Sequence, residues 1–328
     1  MVGSISRNVW RRWTDAERGD RINTESVPQL IAVFSTIVFV FGMGFGIQRF
    51  RPLGEQTLAQ LAGLVVEILL PFYLFFTTAT EATPEALSAA PLLIVMGVAV
   101  TLLGYPLARL VMAPSGVAGK QRSVFHFAIM VGNTAFLGIP VCEALFGPLG
   151  AVYAVLYDFG TTLAALTVGI WALSGGRLSN WRPLLLNPLI WGVVAGLLWA
   201  AVGWSFPEWL ARPFSTLGGA TLPLALLVGG AQIGSIRSHA TQWGQQLAGL
   251  ITTRLVVVPL VVASVLALFG WRNLAASVII VQSAMPVGLT TSIMAKNYGG
   301  DAEFAASATM WSTVVALMTL PLVALLLI

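Results

Sequence analysis

The chain has 328 residues, of which 57% are hydrophobic and 9% charged, with a formal net charge of +4. A soluble domain carries about a quarter of its residues as Asp, Glu, Lys or Arg, and 17 basic plus 13 acidic side chains do not cover a water-facing surface of this size. The composition excludes a soluble enzyme fold, a disordered chain and a collagen-like repeat, and makes lipid the solvent for most of the molecule.

The first 27 residues are polar and hold no apolar run of the kind a cleavable signal peptide needs. Their Trp10, Arg11, Arg12 and Trp13 suit either a short helix at a headgroup surface or a disordered tail. Beyond them, apolar stretches bounded by Pro, Gly or charge predict an all-α membrane protein. Its ten transmembrane helices are expected over 28–47, 57–79, 91–112, 122–146, 148–173, 185–204, 213–235, 247–270, 273–296 and 302–327. Tryptophans at the segment flanks (Trp181, Trp191, Trp199, Trp204, Trp209, Trp243, Trp271) read as interface anchors.

The fifth and tenth segments resemble each other: Thr162 falls on Thr313 and Leu166 on Leu317, both at an offset of 151. Ahead of each lies a helix interrupted by Pro, Gly and polar residues, VGNTAFLGIP in the first case and SAMPVGLTTSIMA in the second. The reading is two five-helix units, 28–174 and 185–328, joined by a short loop over 175–184. An odd number of spans per unit makes this an inverted repeat, as in many secondary transporters. Arg49, Arg51, Arg109, Lys120, Arg122, Arg177, Arg182, Arg237 and Lys296 sit in loops on one side, against Arg212 and Arg272 on the other. The positive-inside rule then puts the 175–184 loop in the cytoplasm and both termini outside, although basic residues of the N-terminal tail dissent.

In hydrocarbon a helix is interrupted only where protein or a water-filled cavity covers the freed backbone. Asn133, Thr134 and Pro140 mark one interruption, with Pro140 expected to free the carbonyl of Phe136. Gln282, Ser283, Pro286, Val287, Gly288, Thr290 and Thr291 mark the other, with the carbonyl of Gln282 freed. Two such crossover helices present N–H groups and positive dipole ends to an anion. Ionisable residues inside apolar segments are costly and therefore informative. Asp158, with Thr161 and Thr162 at i+3 and i+4, is the leading candidate for ion or proton coupling, followed by Glu81 and Glu67. Glu143 and Lys296 read as half-helix caps, Arg254 as a partner for Glu67, and His126 as a packing residue.

One cysteine, Cys142, and two histidines, His126 and His239, exclude a disulfide and do not compose a metal centre. No basic run is long enough to track nucleic acid. Tyr157-Asp158 and Gly299-Gly300-Asp301 approach the paired motifs of intramembrane aspartyl proteases, but position 298 is Tyr and Asp301 falls in a loop. No other hydrolase or phosphate-binding motif is present, so no enzyme is expected.

The stretches NTAFLGIPVCEALFG, AMPVGLTTSIMAKNYGGDAEFAASATMWSTVVALMTLPL, LLPFYLFF and LPLALLVGGAQIG resemble the auxin efflux carrier family, which includes the plant PIN exporters and many bacterial proteins. The resemblance runs from about residue 28 to the C-terminus. It implies a fold shared in outline with bile-acid sodium symporters. Segments one, two, six and seven would form a dimer-forming scaffold, and three to five with eight to ten a transport domain moving like an elevator. It implies that Asn133 holds a substrate carboxylate, with Pro286 and Val287 facing it, and it puts Asp158 where the exporters carry an amide. The large cytosolic loop of the plant proteins is absent, because about ten residues separate segments five and six. The expectation is a secondary transporter of a small organic anion in a bacterial inner membrane, forming a homodimer, with no cofactor beyond H⁺ or Na⁺ as coupling ion. A Na⁺-coupled symporter would use Asp158, Gln282, Ser283, Asn133 and Thr309 as oxygen donors. A non-transporting receptor is the third reading.

Overall fold

The computed structural model describes residues 26–176, 185–236 and 243–327. The N-terminal tail, the 177–184 part of the central loop and Arg237 lie outside the described residues, and so do Arg177 and Arg182 from the orientation argument. Among the described residues the protein is helical, with no strand. We number the helices α1 Ser26–Phe50, α2 Glu55–Glu81, α3 Pro84–Met112, α4 Gln121–Met130, α5 Thr134–Leu173, α6 Pro188–Val202, α7 Glu208–Ser235, α8 Gly244–Leu268, α9 Leu274–Ser283, α10 Thr291–Asn297 and α11 Ala302–Leu327.

Seven of these are long and apolar enough to cross a membrane, namely α1, α2, α3, α5, α7, α8 and α11. The helices α6 and α9 are apolar but shorter. Large apolar side chains such as Phe50, Leu110, Leu268 and Leu326 lie more than 70% exposed, which suits acyl chains and not water. Local chemistry sets the helix starts. Thr83 caps α3 by accepting from the Ala86 N–H at 3.3 Å, with Pro84 following at the first helical position. Asn187 and Asn273 cap α6 and α9 in the same way, each at 3.0 Å.

Close pairs hold the helices together, because among lipid tails no hydrophobic drive brings apolar faces together and tight backbone contact must supply the attraction. Helices α1 and α7 cross where a side chain on Gly230 would lie 2.0 Å from the Phe41 carbonyl oxygen. Helices α3 and α5 cross where one on Gly160 would lie 2.0 Å from that of Ile94. The main core draws most of its residues from α3, α4, α5, α8, α9 and α11, including Leu93, Phe125, Leu156, Val258, Ile279 and Phe304, and reaches α1, α2 and α7 through Ile37, Leu74 and Leu226. A smaller cluster joins α1, α2 and α7 (Phe41, Leu70, Val228) to Phe136 and Leu289, one residue from each interrupted region.

The interruptions are real, but they begin elsewhere than the prolines suggest. Helix α4 stops at Met130, and Val131 is extended at φ −109°, ψ 109°. The chain becomes helical again at Thr134 and then runs straight through Pro140. A π-helical turn over Thr134–Gly138 makes this feasible: Ile139 donates to the carbonyl of Thr134 and Gly138 to that of Asn133, five residues back. The widened turn accommodates the proline's missing N–H, so the break falls at Val131–Asn133. In the second interruption, Ala284–Thr290, the Gln282 carbonyl is not free: it accepts from the Met285 N–H at 3.3 Å. Further on, α5 bends at Gly147, whose φ of 72° and ψ of −168° are accessible to glycine, so the predicted boundary between segments four and five coincides with a kink.

Candidate functional site

An unbroken helix would send the Asn133 N–H to the carbonyl of Ile129. It goes instead to the carbonyl of Pro286, at 2.7 Å, in the other interruption. In return the Gly288 N–H donates to Val131 at 3.1 Å. The two extended segments thus pair antiparallel at Gly132 and Val287. Each break satisfies backbone groups that the other has freed, which buried backbone requires.

Side chains complete the accounting. Ser312 of α11 accepts from the Val287 N–H at 3.1 Å. Thr309, one turn earlier, donates to the Gly288 carbonyl at 3.3 Å and to Ala305 of its own helix at 3.0 Å. Arg254, 2% exposed on a π-helical turn of α8, donates from Nε to the Met285 carbonyl at 2.9 Å and from a terminal nitrogen to that of Ile129 at 3.1 Å. The carbonyl that Asn133 abandoned is therefore taken by a guanidinium. No carboxylate among the described residues pairs with Arg254, and the expected Glu67 pairing is overturned: the Glu67 side chain is exposed on α2. The physical reason is that several freed carbonyls already offer the partial negative charge a buried cation needs.

The predicted residues divide into those the fold assembles and those it does not. Asp158 of α5 is buried and accepts from the Thr134 hydroxyl at 2.5 Å, a charge-assisted contact directly after the first break. Gln282 donates from its amide to the carbonyls of Thr134 (3.4 Å) and Ala154 (3.2 Å). Its Oε1 has no hydrogen-bond partner among the described residues, and neither does the Nδ2 of Asn133, although both atoms are buried. Pro286 and Val287 are part of the backbone pairing itself.

Ser283 is buried but donates within its own helix, to Ile280 at 2.7 Å. Pro140 is a buried member of α5, away from the break. Glu81, like Glu67, is exposed, and no hydrogen bond ties either to the crossing. Glu143 is not a cap; it accepts from the Tyr73 hydroxyl of α2 at 2.7 Å. His126 stacks on Tyr105, with ring centroids 4.6 Å apart.

The residues that single-segment reasoning missed are Ser312 and the true partners of Arg254. A signal existed for the first. Ser312 lies 151 positions after Thr161, and Thr309 lies 151 after Asp158, the same offset as Thr313 from Thr162. Asp158 and Thr309 thus occupy corresponding places, and each touches the broken helix before it.

Comparison with known proteins gives a concordant picture. The family model described as membrane transport protein matches residues 30–175 and again 176–324. An uncharacterized transporter of Methanothermobacter thermautotrophicus is 28% identical over 296 residues, covering 88% of this chain and 95% of that protein. Auxin efflux carrier component 8 of Arabidopsis thaliana is 28% identical over 149 residues, which is 43% of this chain and 40% of the plant protein. A glycerol-3-phosphate acyltransferase of Symbiobacterium thermophilum is 35% identical over 169 residues, or 49% of this chain and 73% of the enzyme. The acyltransferase likeness covers half of the chain, as the plant carrier likeness does, whereas the family model and the archaeal transporter run through both halves.

Proposed function

Because this chain belongs to the membrane transport protein family, with auxin efflux carriers among its relatives, we propose that it is a secondary active transporter of a small organic anion, a carboxylate or auxin-like weak acid. The observation that carries this reading is the buried Nδ2 of Asn133, a hydrogen-bond donor with no partner among the described residues, set where two broken helices cross. Such a group is normally satisfied. A carboxylate oxygen is the acceptor it suits, with Thr134 and the facing Pro286–Val287 backbone around it.

The proposed architecture is ten crossings in two inverted five-helix units, with 28–174 and 185–328 as the units. Helices α1, α2, α6 and α7 form a scaffold and dimer surface, and the remaining helices form the transport unit that carries the crossing across the bilayer. Supporting this split, the side chains that bond to the two interruptions, Arg254, Thr309 and Ser312, come from α8 and α11. The proposed setting is a bacterial inner membrane with both termini outside.

Coupling would run through Asp158, the buried carboxylate at the crossing, by proton exchange. The alternative, Na⁺ coupling, is favoured by a specific feature: Gln282 Oε1 is an unpartnered buried acceptor beside the Asp158–Thr134 pair, and Na⁺ takes such hard oxygen donors. Thr309 would belong to the same donor set. Solid-supported-membrane currents from proteoliposomes, scanning mono- and dicarboxylates with a pH step or with Na⁺, test both readings. A carboxylate-driven current lost in Asn133→Ala upholds the transport reading. A current that survives that substitution removes Asn133 from the site.

A further inference from the structure

We propose that Arg254 is the positioning residue of the crossing, a clamp that holds the two broken helices together at the level of Asn133, and that Gly132 is the seat that lets it reach. The inference rests on the reading of Asn133 as part of the anion site and concerns a residue outside that site.

The two carbonyls it holds come from different interruptions: Ile129 ends the first half of one crossover, and Met285 begins the extended segment of the other. A planar guanidinium with several fixed donors spans two acceptors at once, which an ammonium on a flexible stem does not reproduce. The seat is equally specific. A Cβ on Gly132 would lie 2.0 Å from a terminal nitrogen of Arg254 and 2.9 Å from its central guanidinium carbon. That nitrogen is the end of a long side chain, but the chain is held at two points and 98% buried, so it has little room to yield.

Arg254 therefore reaches the crossing from three sides: the carbonyl of Ile129, the carbonyl of Met285 and the open face of Gly132. Asn133 is the next residue, and its N–H is free to reach Pro286 because Arg254 has taken over the Ile129 carbonyl. Take away the guanidinium and two buried carbonyls lose their donor. Ile129 then competes to recover the Asn133 N–H, which pulls the crossing toward a continuous helix and turns Asn133 away.

The experiment compares wild type with Arg254→Lys, Arg254→Met, Gly132→Ala and the double variant Gly132→Ala/Arg254→Lys, all in lipid nanodiscs. The first readout needs no substrate: hydrogen exchange of the amides of Asn133 and Gly288, which bond across the crossing. Arg254→Met and Gly132→Ala are expected to speed it by about tenfold or more, since hydrogen bonds from a charged donor are lost. Lysine lacks the nitrogen that meets a Cβ at position 132, so the double variant is expected to exchange more slowly than Gly132→Ala alone. That rescue distinguishes a clamp from a general packing defect and survives a failure of Arg254→Met to fold. Wild-type exchange in Arg254→Met, or no rescue in the double variant, overturns the proposal.

The second readout is the carboxylate current. Arg254→Lys is expected to raise the half-saturating concentration while leaving the maximal rate nearly unchanged, and the opposite split counts against positioning. If wild type gives neither current nor uptake of any carboxylate, the anion reading fails, whereas the exchange result still decides whether the clamp exists.

Discussion

Asn133 gives its backbone N–H to the carbonyl of Pro286, across 153 positions of sequence (286 − 133), at 2.7 Å. This bond leaves the Ile129 carbonyl to Arg254 and places the asparagine at the meeting point of two interruptions. The side-chain amide then has nothing in the protein to bond among the described residues. Backbone groups at the crossing bond to one another and to Arg254, Ser312 and Thr309, whereas the Asn133 Nδ2 and Gln282 Oε1 atoms are left over.

That division predicts how Asn133→Ala behaves. Removing a buried donor that has no partner relieves a desolvation cost, so stability is expected to stay within about 1 kcal/mol of wild type. Substrate-driven current is expected to fall at least tenfold. Thermal unfolding in detergent and proteoliposome currents check the two halves separately, and a large drop in melting temperature would mean that the side chain is structural.

Thr134→Val keeps the shape but deletes the hydroxyl that donates to Asp158 at 2.5 Å. A buried carboxylate stripped of this donor is expected to cost about 1.5 to 3 kcal/mol, read as a lower unfolding midpoint. Asp158→Asn retains an acceptor for the threonine and is expected to be milder. The same Asp158→Asn protein is expected to lose the response of its current to a pH step or to Na⁺. A response equal to wild type would take Asp158 out of coupling.

Gly138 faces Gln282, and a Cβ there would lie 2.0 Å from Oε1 and 2.9 Å from the amide carbon. Because the amide nitrogen is tied to two carbonyls, Gly138→Ala is expected to destabilise by about 1 to 3 kcal/mol, in the range of overpacked cores. Shortening the partner in Gly138→Ala/Gln282→Ala should recover part of that loss, beyond the sum of the single effects. A double-mutant cycle on thermal unfolding measures this directly, and strict additivity would contradict the contact.

The Tyr73 hydroxyl links α2 to Glu143 on α5 at 2.7 Å. In the elevator reading this is a contact between the scaffold and the moving unit. Tyr73→Phe is then expected to change the maximal transport rate by severalfold with little effect on half-saturation, at about 1 kcal/mol or less in stability. Current amplitudes measured over a substrate titration separate the two parameters, and a pure change in half-saturation would place the contact in binding instead.

Much of the crossing was legible one segment at a time. Asn133 and Gln282 are polar residues in apolar surroundings beside Pro and Gly, and Asp158 is a carboxylate where lipid allows few. Glu67 and Glu81 satisfied the same criterion and yet sit exposed, because composition along a helix does not say which face turns inward. Pro140 misled in another way. Proline reports a missing donor, but a π-helical turn absorbed that loss in place and the chain opened ahead of it, at Val131–Asn133.

By itself, then, the sequence determined that the molecule is helical and lives in lipid, and that two segments are interrupted. These are local matters, decided by transfer of apolar side chains out of water and by which residues cap a helix or lack an N–H. The tertiary structure alone decided that the two interruptions pair with each other, that Ser312 receives Val287, and that Arg254 answers two carbonyls and no carboxylate. The reason is that a broken backbone in a membrane must find partners in space, and the groups that answer it belong to other helices.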